Sequence, residues 1–148
     1  MSDASDMIKL YSKRILALAA DIPHSDRLDA PEASEMKRSP LCGSTVTVDV
    51  SIKNGLVSEF GQDVKACALG QAAASILGAA VVGQSLDSIR LGRDQLDAML
   101  TADGPTPSKP FDELKVLEPA KAYKNRHASV LLAFDATVAA LEALSGTA

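Results

Sequence analysis

The chain has 148 residues, 47% hydrophobic and 23% charged, which fits one domain over 1–148 with a core of ordinary size. Its net charge of -4 and pI near 5.1 exclude a nucleic-acid footprint, because phosphate binding draws its affinity from clustered Lys and Arg. No apolar run reads as approaching the roughly 20 residues needed to cross a bilayer, and Met1-Ser2-Asp3-Ala4-Ser5-Asp6 has no basic stretch followed by an apolar one, so a cytoplasmic chain with no membrane partner is expected.

From Asp6 to Ala20, the apolar residues Met7, Ile8, Leu10, Tyr11, Ile15, Leu18 and Ala19 recur at helical spacing and predict an amphipathic first helix. Pro23, Pro31 and Pro40 then mark a loop, with a short edge strand near Ser34 to Arg38. Val46, Val48, Val50 and Ile52 alternate with Thr45, Thr47, Asp49 and Ser51, which places the aliphatic set on a buried face and the polar set outward. Asn54-Gly55 follows at once and favours a tight hairpin, since both residues tolerate positive φ, and the return strand runs from Leu56 to Val64.

Ala68 to Val82 is nearly all small or apolar and predicts a closely buried helix, in which Gly70 and Gly78 permit close packing. Ser85 reads as the N-cap of a second helix that stops at Asp103-Gly104-Pro105; Phe111 to Leu117 gives a short third one, and Arg126 to Leu144 a long terminal one. The order predicts an α+β fold, a three-stranded antiparallel sheet with helices packed mainly on one face.

The only two cysteines, Cys42 and Cys67, fall at element boundaries, one in a loop before a strand and one where a helix begins; His127 stands where the terminal helix starts. Boundary residues can converge at one end of a sheet. A helix N-terminus also stabilises the thiolate, the form that binds metal, and thiolate with imidazole suits zinc or iron. In a reducing compartment a cysteine pair reads as a metal or redox site, with two inert buried thiols as the plain alternative. A dithiol reading requires the two Cα atoms to lie within about 7 Å. For His127 the plain alternative is a solvated helix start, and for His24 a loop position. Glu113 and Glu118, like Asp97 and Asp103, read as solvated helix faces, and no Gly-x-Ser-x-Gly elbow or phosphate loop is present, so no enzyme is expected.

Pro40-Leu41-Cys42-Gly43, the Val-rich strand, Asn54-Gly55, and Ala66-Cys67-Ala68 leading into Gln71-Ala72-Ala73-Ala74-Ser75 together resemble the U-type iron-sulfur cluster assembly scaffolds, the family of the NifU N-terminal domain and its IscU and SufU relatives. The resemblance runs from about Met7 to Leu144. It implies a small α+β scaffold carrying iron or a [2Fe-2S] cluster, or zinc in its place, on Cys42 and Cys67. It also implies a cysteine desulfurase as sulfur donor and iron-sulfur apoproteins as recipients. The departures are Ser44, where the family has an aspartate, and the stretch Asn125-Arg126-His127-Ala128-Ser129, where it has a third cysteine. Matching Leu132-Ala133-Phe134-Asp135-Ala136 to the family puts Ser129 at the cysteine position; a small shift would make His127 the third ligand. The alternative implied by these departures is a degenerate member acting as a zinc-bound or metal-free accessory to a desulfurase.

Overall fold

A computed structural model describes residues 11–145. The predicted start of the first helix, residues 6–10, lies outside the described residues. Within them, helix α1 spans Lys13–Ala20 and is capped by Ser12, whose hydroxyl accepts from the Ile15 N–H. Ile15 and Leu18 point into the core.

Strands β1 (Ala33–Arg38), β2 (Thr45–Lys53) and β3 (Leu56–Lys65) pair antiparallel in the order β1-β2-β3. The β2–β3 hairpin turns on Asn54 and Gly55, at φ 56° and 77°, the backbone region that Asn and Gly adopt most readily. Val46, Val48 and Val50, paired with Val64, Gln62 and Phe60, form the face that the helices cover.

The polar face of β2 departs from the expected outward one. Asp49 and Ser51 are buried, because the segment before β1 folds across them. Arg27 donates two hydrogen bonds to the Asp49 carboxylate, and Ser34 Oγ and the Leu28 N–H donate one each. Burial pushes this carboxyl up, but the four donors and the Arg27 charge outweigh it and hold it below its ordinary value. Gly61, opposite Asp49, lets the segment approach: a Cβ there would lie 2.4 Å from the Asp26 carbonyl oxygen.

Helix α2 (Ala68–Ala80) is buried along most of its length, and α3 (Leu86–Thr101) starts at the predicted cap, Ser85, which accepts from the Ser88 N–H. The close packing expected at Gly78 is present, since a Cβ there would meet Gln62 Nε2 and the Pro23 carbonyl, each at 2.9 Å. The third helix is 3₁₀ in geometry and longer than expected, running over Asp112–Ala122 through Pro119. Pro119 contributes no N–H to the helical ladder, so one internal bond is absent at that position.

The terminal helix α4 (His127–Ser145) packs on β1, β2, α2 and α3 and forms the centre of the molecule. The helical stretch 124–145 is long enough for a membrane span and contains an 18-residue window of mean hydropathy 1.5, contrary to the expectation that no run approached one. Its apolar residues are accounted for by the core: Val130, Phe134, Ala136 and Ala140 are fully buried against the other elements. A helix surrounded on most sides reads as apolar all round for that reason.

Candidate functional site

Three pieces of backbone meet beyond the β1–β2 end of the sheet. The first is the loop between β1 and β2, closed by the Ser39 N–H on the Ser44 carbonyl (2.8 Å) and the Gly43 N–H on the Ser39 carbonyl (2.9 Å). Gly43 sits at φ 74°, which lets the loop turn back so tightly. Cys42 is exposed at its tip beside Leu41, which is 73% exposed, while Ser39 and Ser44 are buried at its base. The second piece is the start of α2, where Cys67 occupies the N-cap position and is half-buried. The third is the first turn of α4, which carries the buried Ser129.

These pieces bring five side chains into one hydrogen-bonded cluster. Cys42 Sγ lies 3.3 Å from Ser39 Oγ and 3.0 Å from Ser44 Oγ. Ser129 Oγ is 3.3 Å from Ser44 Oγ and 3.4 Å from Cys67 Sγ. Ser44 and Ser129 therefore link the two thiols. Gly70 makes this convergence feasible, since a Cβ on it would lie 2.8 Å from Ser129 Oγ and 3.0 Å from the Ser129 carbonyl oxygen, forcing α2 and α4 apart.

The hydroxyls and backbone donors favour thiolate at both sulfurs. Hydrogen bonds from Ser39 and Ser44, then from the Ser44 backbone, bring the Cys42 thiol down to about 7 against a smaller opposing effect of burial. Burial pushes the Cys67 thiol up, but Ser129, the Gly70 and Leu69 N–H groups at the helix start, and the Arg126 charge together leave it below its ordinary value.

His127 is directed elsewhere. Its Nε2 donates to the Ala120 carbonyl at 2.9 Å and lies 3.2 Å from that of Lys121, and the ring lines a hollow with Leu100, Thr101, Asp103, Lys121 and Lys124. Two residues apart on a helix are separated by about 200° around its axis, so His127 and Ser129 face opposite ways. Since Ser129 meets the thiols, His127 does not. That angle is the signal in the sequence that selects between them. Among the described residues no group of three or more His, Cys, Asp or Glu is placed to hold a metal ion. A [2Fe-2S] cluster held by protein alone takes four ligands, usually thiolates. Two thiols and three neutral hydroxyls do not supply four thiolates; they provide a two-thiolate grip with the remaining coordination open.

A three-stranded antiparallel sheet covered by helices, with a thiol-hydroxyl cluster at its end, defines the class of small α+β domain seen in U-type scaffolds. The chain matches a nitrogen-fixing NifU-like protein (N-terminal) from Brucella abortus with 40% identity and a TM-score of 0.93, covering 97% of this chain and 99% of that one. It belongs to the U-type iron-sulfur scaffold family. Its fold is also that of a protein assigned as an iron-sulfur cluster assembly scaffold for the SUF system from Fervidobacterium islandicum AW-1, at 16% identity and a TM-score of 0.79 over 90% of this chain and 98% of that one. No protein-family model matches the sequence, and no curated protein does.

Proposed function

We propose that this chain is a non-enzymatic scaffold or carrier, in which the thiolates of Cys42 and Cys67 hold iron or a [2Fe-2S] unit as cargo for recipient apoproteins. The observation that carries the reading is the single hydrogen-bonded cluster that joins both sulfurs through Ser44 and Ser129. The 40% identity to a NifU-like protein supports it. Exposed Cys42 is the acceptor of persulfide sulfur from a cysteine desulfurase, because a thiolate attacks sulfane sulfur by exchange. Zinc, which also takes thiolates, is a stand-in for the cargo. Both thiols need a reducing compartment, the cytoplasm, to stay available.

Anaerobic reconstitution with iron and sulfide tests this. The wild type should develop visible absorption that Cys42→Ala and Cys67→Ala lose; a colourless wild type would overturn the reading. The incomplete ligand set favours one alternative, an accessory that tunes a desulfurase without building clusters. It predicts a change in desulfurase turnover on adding the protein, with no cluster passed to an apoprotein.

A further inference from the structure

The two cysteines are differently placed. Cys42 stands at an exposed loop tip with an exposed leucine beside it, open to a bulky sulfur donor. Cys67 is half-buried at the start of α2, where a large donor has less access. Cys42 Sγ lies 3.0 Å from Ser44 Oγ, which is 3.3 Å from Ser129 Oγ, itself 3.4 Å from Cys67 Sγ, so a pair of hydroxyls links the two sulfurs. The sequence has no third thiol, and among the described residues no carboxylate or imidazole completes a metal-binding set with them. One open and one sheltered sulfur linked through a hydroxyl pair is the arrangement of an attacking and a resolving thiol.

We propose that Cys67 is a resolving thiol that discharges sulfur carried on Cys42 as hydrogen sulfide, leaving a Cys42–Cys67 disulfide. The inference rests on Cys42 being the sulfur acceptor of the proposed function. In the first step the Cys42 thiolate attacks the outer sulfur of a persulfide donor R–S–SH; a bond forms between Cys42 Sγ and that sulfur, the donor's S–S bond breaks, and R–S⁻ leaves. In the second, the Cys67 thiolate attacks Cys42 Sγ. The Cys42–Cys67 bond forms, the bond to the carried sulfur breaks, and that sulfur departs with the electron pair as HS⁻. The two cysteine sulfurs are oxidised to a disulfide and the sulfane sulfur is reduced to sulfide, so the two electrons balance. An external dithiol reductant resets the pair.

The test uses the full chain, reduced and handled anaerobically. The protein is briefly exposed to inorganic polysulfide, desalted, and followed for free sulfide without added reductant, with peptide mapping by mass spectrometry. The wild type should release about one sulfide per chain as the Cys42–Cys67 disulfide appears, while Cys67→Ser and Cys67→Ala keep the sulfur on Cys42 at least about tenfold longer, until dithiothreitol is added. Equal retention by wild type and variants, or sulfide release without that disulfide, would overturn the resolving role while leaving sulfur acceptance intact. Failure of the wild type to take up sulfur at Cys42 would instead remove the acceptor reading, and the resolving role with it. Should one Cys67 variant not fold, by circular dichroism, the other and the mapped wild-type disulfide decide.

Discussion

Replacing Ser129 by cysteine should turn the two-thiolate grip into a three-thiolate site. The Ser129 oxygen already lies 3.4 Å from Cys67 Sγ and 3.3 Å from Ser44 Oγ, which Cys42 Sγ approaches to 3.0 Å, so a sulfur at this position enters the same cluster as the two thiols. Structural zinc sites with four ligands are worth about 10–16 kcal/mol in small peptides, so an equal share per ligand is about 2.5–4 kcal/mol. The lower end of that share corresponds to about a hundredfold tighter binding. The larger sulfur presses on the helix contact at Gly70, an overpacking cost of about 1 kcal/mol that falls on folding stability. Competition against a chromophoric zinc chelator at fixed pH reads the affinity, with circular dichroism confirming the fold. Zinc affinity in a folded Ser129→Cys protein equal to that of the wild type would refute the convergence of position 129 with both thiols.

The remaining predictions concern Cys42, Asp49 and His127. Alkylation of Cys42 by iodoacetamide should accelerate with pH around a midpoint of about 7, and Ser39→Ala should move that midpoint upward; a wild-type midpoint near the ordinary thiol value of 9.0 would contradict the hydrogen-bonded loop. Asp49→Asn should cost about 1.5–3 kcal/mol at neutral pH, because charge-assisted bonds from Arg27 and Ser34 are weakened in a buried setting. The folded-state value of this carboxyl is depressed, so its contribution is full above the unfolded value near 3.8 and is lost as pH falls through the folded one. Urea unfolding of both proteins should therefore converge as the pH drops below 3.8, and a pH-independent gap would count against the assignment. His127→Ala should leave reconstituted metal content unchanged while lowering stability by about 1–3 kcal/mol, as the Ala120 carbonyl loses a donor; loss of metal in a folded variant would restore His127 as a ligand.

The strand alternation from Val46 to Ile52, the Asn54-Gly55 turn and the Ser85 cap were legible because each depends on local chemistry: side-chain period, backbone sign of φ, one hydroxyl on one N–H. What sequence could not supply came from distance. Nothing near Asp49 in the chain announces that the 26–28 segment will cover it, since its partners Arg27 and Leu28 lie more than twenty residues upstream. The apolar surround of α4 made 124–145 membrane-like in composition and core-like in place. At the site, both cysteines were visible as boundary residues, and the family resemblance put Ser129 at the third position. His127 was a chemically better ligand on the wrong side of the helix, and only the helical angle separates the two.

The site has no existence in the denatured chain, for its sulfurs belong to a loop and a helix start distant in sequence, and the Ser129 hydroxyl arrives on the last helix of all. Any ion that grips both thiols must on that account select the native form, and by linkage a concentration about one hundred times its dissociation constant adds about 2.7 kcal/mol to the unfolding free energy. Binding of such an ion and completion of the tertiary structure would thus be one equilibrium, and whatever loosens the seating of the C-terminal helix would also weaken the grip on it.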